Sequence, residues 1–268
     1  MAHIEQKNPI AETGIQVSPL GLGTVKIGRD KAVKYPDGFQ IPDDEQVITL
    51  LEQAWESGIN LIDTAPAYGR SEQRLGQLLK KVRREWIIAT KAGEYFDAVS
   101  GESHYDFTPE SLIKSIEHSL KTLQRDALDI VLIHSDGNDE HIIRHHGALE
   151  VLADLKQRGW IRASGMSTKT VTGGMLTLEQ SDIAMVMHNL QYQEEQAVIE
   201  QAAKLNKGIF IKKALGSGHL AKQAGTDTVQ DNFDFIFNEP AVSSVIIGTI
   251  NPAHLYDNIS KAVKALAE

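Results

Sequence analysis

The chain has 268 residues, a formal net charge of −9 at pH 7, 41% hydrophobic and 24% charged residues, and no cysteine. This composition fits one folded α/β domain over residues 1–268 and excludes a disordered chain. It also excludes disulfides, thiolate catalysis and cysteine-bound metal, and the acidic balance argues against bulk binding to nucleic acid or an anionic membrane.

The segment Met1 to Pro9 lacks the apolar core of a secretory signal, and runs such as Ile183–Met187 are too short to span a bilayer. A cytoplasmic protein is therefore expected. From there short apolar runs alternate with amphipathic helical patterns. Candidate strands are Gly21–Thr24, Leu61–Thr64, Ile87–Lys91, Asp129–His134, Ile161–Ser167, Ile183–Met187, Gly208–Ile211 and Val245–Ile247. They do not alternate polar with apolar residues, which marks parallel strands covered on both faces.

The helices between them carry start signals. Asp43 or Asp44 precedes Val47, Leu50, Leu51 and Ala54. Thr108-Pro109-Glu110 reads as N-cap, N1 proline and first-turn acid, ahead of the stripe Leu112, Ile116, Leu120 and Leu123. Gln196–Leu205 is a further helix, and Asn251-Pro252 opens one with Leu255, Ile259, Val263 and Leu266 on one face. Eight such strands over about 250 residues predict a (β/α)8 barrel. A doubly wound sheet is the competitor, but Gly21-Leu22-Gly23 is not completed to GxGxxG. Ile27–Pro42 and Gly93–Phe107 are too long for ordinary βα loops and would overhang the C-terminal face of a barrel.

Asp63, Lys91 and His134 end three neighbouring candidate strands, and Tyr68 lies in the turn after the first of these. Each alone has an ordinary explanation as a cap, a surface charge, a hydrogen-bonded histidine or a packed ring. The inference rests on their coincidence. His141, His145 and His146 lack an obvious acid or further ligand and read as a helix start, with no metal site expected. No Walker A sequence or complete GxSxG elbow is present.

Asn60-Leu61-Ile62-Asp63-Thr64-Ala65-Pro66-Ala67-Tyr68-Gly69-Arg70-Ser71-Glu72 resembles the signature of the aldo-keto reductases. Thr13 to Thr24, Ala89-Thr90-Lys91, Ile133-His134, Gly165-Met166-Ser167 and Ile247 to Asn258 are similar to further segments of that family, so the resemblance spans residues 8–265. It implies a (β/α)8 TIM barrel with a short N-terminal β-hairpin. It implies reduction of aldehydes or ketones with NADPH, or the reverse oxidation to NADP+, with NADH as the alternative cofactor.

The tetrad it implies is Asp63, Tyr68, Lys91 and His134. Tyr68 would give the proton, a nearby Lys91 would lower the Tyr68 pKa, Asp63 would hold Lys91 charged, and His134 would orient the substrate oxygen. The implied cofactor contacts are Thr24, Asp63, Ser167, Thr168, Lys212, Lys213, Leu215, Gly216, Gly248, Thr249, His254, Asp257 and Asn258. Lys26, Tyr68, Tyr95 and His134 would face the substrate.

Several positions depart from the family pattern. Met185 stands where a glutamine commonly holds the nicotinamide amide, and Lys212 where an aromatic ring stacks. Gly248 and His254 stand where a lysine and an arginine grip the 2′-phosphate. A weaker preference for NADPH over NADH is therefore expected, offset by phosphate binding at the amides of the helix opening at Pro252. Only ten residues follow Asn258, so an open mouth and small to medium polar or aromatic aldehydes are expected rather than steroids. A cofactor-binding sensor with vestigial turnover is the alternative. A Schiff-base lyase using Lys91 is a third reading, opposed by the charge that Asp63 would keep on Lys91.

Overall fold

The computed structural model describes residues 2–33, 35, 38–218 and 227–267. The strands, in chain order, are β1 (Asn8–Pro9), β2 (Gln16–Val17), β3 (Leu20–Gly23), β4 (Leu61–Asp63), β5 (Ile87–Ala92), β6 (Glu94–Phe96), β7 (Ser103–Tyr105), β8 (Leu128–His134), β9 (Ile161–Ser167), β10 (Ile183–Met187), β11 (Gly208–Lys212) and β12 (Val242–Ile247). The helices are α1 (Val25–Gly28), α2 (Asp44–Glu56), α3 (Ser71–Val82), α4 (Pro109–Leu123), α5 (Asp139–Arg144), α6 (Ala148–Gln157), α7 (Val171–Gln180), α8 (Gln196–Leu205), α9 (Thr228–Phe237) and α10 (Pro252–Leu266).

β3, β4, β5, β8, β9, β10, β11 and β12 pair in that order, all parallel, and β12 returns to β3 to close the barrel. The fold is the predicted (β/α)8 barrel with an N-terminal hairpin, β1 against β2. Ile62, Ile88, Val131, Ile133, Ala184 and Ile209 join the core between barrel and helices. Leu61, Ala89, Ile130, Leu132, Ala163, Met185 and Phe210 fill the interior with Ile10, Ile15 and Val17 of the hairpin segment. Both faces are covered, so the strands read as continuous apolar runs. A Cβ on Gly208, which opens β11, would lie 3.2 Å from the Ile10 Cδ1 atom. The hairpin thus closes the barrel at the strand starts, and the free mouth is at the strand ends.

Side chains two apart on a strand share a face. The inward set therefore runs from apolar to polar toward the mouth: Leu61 to Asp63, Ala89 to Lys91, Leu132 to His134, Ala163 to Ser167 and Phe210 to Lys212. That parity aims the candidate site residues at one end of the interior.

Strand ends differ from the sequence reading by up to three residues. The largest shift is in β12, which begins at Val242 because Ser243 and Ser244 are buried despite their hydroxyls. Gly93–Phe107 is not a plain loop. It contains the antiparallel pair β6–β7, with Glu94 opposite Tyr105. In Ile27–Pro42, residues 34, 36 and 37 lie outside the described residues. Asp43 caps α2 through a reciprocal pair with Gln46, at 2.8 and 3.0 Å. Thr108 stands at the N-cap of α4 without a side-chain cap bond; its hydroxyl donates to Asp106 Oδ1 at 2.7 Å. Among the described residues no helix is long and apolar enough to cross a membrane.

Glu72 is 3% exposed and ties α3 to β5 and α4, accepting from the Thr90 hydroxyl at 2.5 Å and the Ser119 hydroxyl at 3.0 Å. Burial raises its carboxyl from the ordinary 4.5 to about 7. An acid whose pKa rises on folding holds its proton more tightly in the folded state. Its contribution is full below about pH 4.5 and is lost as pH rises through about 7. Glu72→Gln keeps a neutral side chain there. Thermal unfolding should show a smaller loss of Tm between roughly pH 5 and pH 8 in the variant than in the wild type.

Candidate active site

β4 and β5 are neighbours, with Asp63 opposite Ala89, and Lys91 stands two residues further along β5. Its ammonium donates to Asp63 Oδ1 at 2.6 Å, to the Thr64 carbonyl at 2.9 Å and to the Tyr68 hydroxyl at 2.9 Å. Lys91 is 2% and Asp63 4% exposed. All three ammonium donors are used. The nitrogen has no lone pair with which to attack a carbonyl. Tyr68 accepts from Lys91, so its own proton is directed elsewhere. Its own donation, to Asp63 Oδ2, is long, at 3.5 Å.

Backbone packing fixes the turn that carries Tyr68. The Tyr68 amide donates to the Ala65 carbonyl at 3.0 Å, and Gly69 follows with φ +63°. A Cβ on Gly69 would lie 2.4 Å from the Gly28 carbonyl oxygen, and one on Gly28 would lie 2.3 Å from the Tyr68 carbonyl oxygen. Any side chain at either position would push α1 and the turn apart. Under the turn runs a chain of hydroxyls. Ser71 donates to Thr24 at 2.8 Å, and Thr24 donates to the Asp63 carbonyl at 2.8 Å.

His134 ends β8 with its ring edge-on to Tyr68, centroids 6.1 Å apart. Its Nδ1 lies 2.7 Å from Glu94 Oε2. Glu94 also accepts from the Ser103 hydroxyl at 2.6 Å and lies 3.9 Å from the Arg29 guanidinium. Burial pushes the Glu94 carboxyl up, but His134, Ser103 and Arg29 outweigh it and hold the acid at about 2. Burial is also the largest influence on His134 and lowers its pKa, against the charge of Glu94. A neutral ring facing a carboxylate keeps its proton on Nδ1. Nε2 then accepts hydrogen bonds and donates only when the ring is protonated. Glu94→Gln removes a charge that raises His134, so NMR titration should find its midpoint at lower pH in the variant.

The Tyr68 hydroxyl is held well above the ordinary phenol value of 10, by burial first and by the charge of Asp63 next. The net shift is upward, opposite in sign to the lowering expected from Lys91.

A cavity of about 910 Å3 opens at this mouth, within the ~300–1,000 Å3 range of small-molecule and cofactor sites. The four tetrad residues line it together with Lys26, Ser167, Thr168, Lys212, Lys213, Leu215, Gly248, Thr249, His254, Asp257 and Asn258. Three expected contacts are not brought to its wall. Thr24 is buried in the hydroxyl chain. Gly216 sits between the lining residues Leu215 and Ser217. Tyr95 turns into the β6–β7 hairpin, stacked on His104 with centroids 5.1 Å apart and bonded to Ser111. Residues that the sequence reading missed are Glu94, the lining acids Glu195 and Asp227, and Tyr35 and Lys261. Glu94 carried a signal as a charge immediately beyond the end of a strand, and Tyr35 as an aromatic residue of the long Ile27–Pro42 segment.

The far end of the cavity holds no amide free for a phosphate at α10. Pro252 has no N–H, and Asn251 accepts from Ala253 at 2.9 Å and His254 at 3.4 Å through its side chain and from Leu255 through its carbonyl. This corrects the expected contribution of those amides. Lys261 lines the same end but is shared between Asp227 at 2.9 Å and Asp257 at 2.8 Å. No arginine is among the described lining residues. The cavity joins the proton donor to a stretch bearing Lys212 and Lys213, which suits a dinucleotide with its pyrophosphate. An extra phosphate beside two carboxylates is poorly matched.

A sequence profile of the aldo/keto reductase family matches residues 19–234. The chain belongs to the aldo/keto reductase family. A crystal structure from Pseudomonas aeruginosa, assigned to the aldo-keto reductases, is 48% identical with a TM-score of 0.88, covering 99% of this chain and 97% of that one. Pyridoxine 4-dehydrogenase of Escherichia coli is 26% identical over 272 residues, 94% of this chain and 92% of that protein. The NADH-specific methylglyoxal reductase of E. coli is 36% identical over 171 residues, 60% of this chain and 51% of that protein. Membership in the aldo/keto reductase family carries oxidoreductase chemistry on carbonyl and alcohol groups.

Proposed function

We propose that the protein is an NAD(P)H-dependent carbonyl reductase for small to medium polar or aromatic aldehydes and ketones, with Tyr68 as the proton donor. The observation that carries this reading is the saturated Lys91 ammonium, which leaves the Tyr68 hydroxyl as the proton source at the cavity wall. The dinucleotide, when bound, supplies hydride to the carbonyl carbon. Tyr68 gives its proton to the carbonyl oxygen as negative charge develops there. Lys91 remains beside the resulting phenolate and stabilises it, and Asp63 keeps Lys91 aimed. His134, with its Nδ1 beside Glu94, borders the same oxygen and in its protonated form would donate to it and align it. Ser167, Thr249 and Asn258, each under a tenth exposed, are polar groups suited to holding the cofactor.

At the rim Lys26 lies 4.0 Å over the Tyr35 ring, a polar and aromatic surface that favours such substrates over steroids. The named activities of the relatives, methylglyoxal reduction and pyridoxine 4-dehydrogenation, point the same way.

NADH and NADPH should both serve. With Lys261 already held by two aspartates, kcat/KM for the two cofactors should agree within about tenfold. Steady-state oxidation of each cofactor with an aromatic aldehyde checks this. A preference for NADPH above about a hundredfold would mean that another group grips the 2′-phosphate. Absence of both turnover and cofactor binding would overturn the reading.

A further inference from the structure

Lys212 ends β11 on the inward face, between the tetrad and the cationic stretch of the cavity. Its ammonium donates to the Ser167 hydroxyl at 3.0 Å and to the Thr168 carbonyl at 2.5 Å. Both partners are neutral. Among the described residues no carboxylate oxygen lies within ion-pair distance of it. The neighbouring wall is apolar at Met185 and Met187. The buried Glu195 carboxylate, which accepts from the Thr168 hydroxyl at 3.3 Å and the Met187 amide at 2.9 Å, compensates this cation in part without forming an ion pair with it.

On the carbonyl reductase reading the hydride-bearing ring would lie in that chamber. The reacting oxygen must meet Tyr68 and His134, and the carbon it belongs to must approach the donor carbon to about 3–3.5 Å. Lys212 is close enough that its charge is one of those holding the His134 imidazole down. We propose that the Lys212 ammonium sets the relative affinity for the two oxidation states of the nicotinamide, rejecting the cationic oxidised ring and accepting the neutral reduced one. This rests on the carbonyl reductase reading. Like charges several ångströms apart in a partly buried site give a bias on the order of ten- to a hundredfold. The protein would then load with reduced cofactor even where the oxidised form is in excess. A tenfold bias corresponds to about 30 mV on the two-electron couple.

The charge itself is adjustable. Burial lowers Lys212 from the ordinary 10.5 to about 8. Glu195 before α8 and Asp139 of α5 act to keep it charged, while Lys213 and Lys169 act against it. His134 faces it from β8. The bias should thus fade as pH rises through about 8.

The test is equilibrium binding of NADH, NAD+ and ADP-ribose to the wild type, Lys212→Met and Lys212→Arg, by calorimetry or tryptophan fluorescence. The expected result is NADH at least about tenfold tighter than NAD+ in the wild type, a ratio near one in Lys212→Met, and a ratio retained in Lys212→Arg. ADP-ribose, which has the pyrophosphate but no ring, reports any effect of the substitution on the part that NADH and NAD+ share and that their ratio cancels. In the wild type the ratio should fall between roughly pH 7 and pH 9, a readout that stands if Lys212→Met does not fold. An unchanged ratio in Lys212→Met, or a wild-type ratio flat with pH, overturns the proposal while leaving the reductase reading intact. If the wild type binds none of the dinucleotides, that reading fails and takes this one with it.

Discussion

Tyr68→Phe should reduce carbonyl turnover by about a thousandfold while leaving cofactor affinity within about twofold of wild type. The substitution removes one oxygen. Lys91 loses one of three acceptors and keeps Asp63 and the Thr64 carbonyl. The loss should fall in kcat, because the proton is needed at the transition state and not for binding. Stopped-flow measurement of a single turnover on a preformed cofactor complex separates the two. If turnover survives in the variant, the proton comes from elsewhere, and a protonated His134 becomes the donor to examine. The wild type should also show direction-dependent pH behaviour. Tyr68 is held well above 10 by burial and by Asp63, so it stays protonated across the neutral range and suits reduction. Alcohol oxidation needs the phenolate and should accelerate steadily with alkaline pH.

Lys91→Met should cost stability as well as activity. It strips the counter-charge from Asp63, which is 4% exposed, and leaves a buried carboxylate facing a thioether. Breaking one side of a buried ion pair typically costs about 3–5 kcal/mol. Denaturant unfolding should show a lower midpoint with an unchanged slope. Adding Asp63→Asn to Lys91→Met should recover much of that loss, because the unpaired charge is gone, while turnover stays absent. A double variant as unstable as Lys91→Met alone would mean that the damage lies in packing around the lysine stem.

Much of this molecule was legible from the order of its residues. Parallel strands buried on two faces give unbroken apolar runs, and the chain shows one at each of eight places; Ile161–Ser167 and Ile183–Met187 coincide with the observed strands. The four tetrad positions were legible because strand ends in a barrel converge whatever the intervening sequence. What escaped reading was direction and occupancy. Glu94 looked like the start of a loop because its hairpin is only three residues on each side. Tyr95, its neighbour, faces away from the cavity, since adjacent residues of a strand point to opposite sides. The α10 amides looked available from the Asn251-Pro252 pair, yet the residue that starts the helix also consumes them. The sign of the Tyr68 shift could not be read either, because it depends on how deeply the ring is covered.

The meeting of Gly28 with Gly69 has a consequence for how this protein can vary. Two backbones that touch with no room for a methyl group must be inherited together. The interval between them holds α2 and β4 with Asp63 as well as the rim, so it forms one bracket around the proton donor. A chimera spliced inside that interval would pair a footing from one parent with a turn from another and displace the proton donor. Crossovers placed outside residues 28–69 would carry the whole bracket across intact, so new specificities can be grafted onto old chemistry only in pieces of that size.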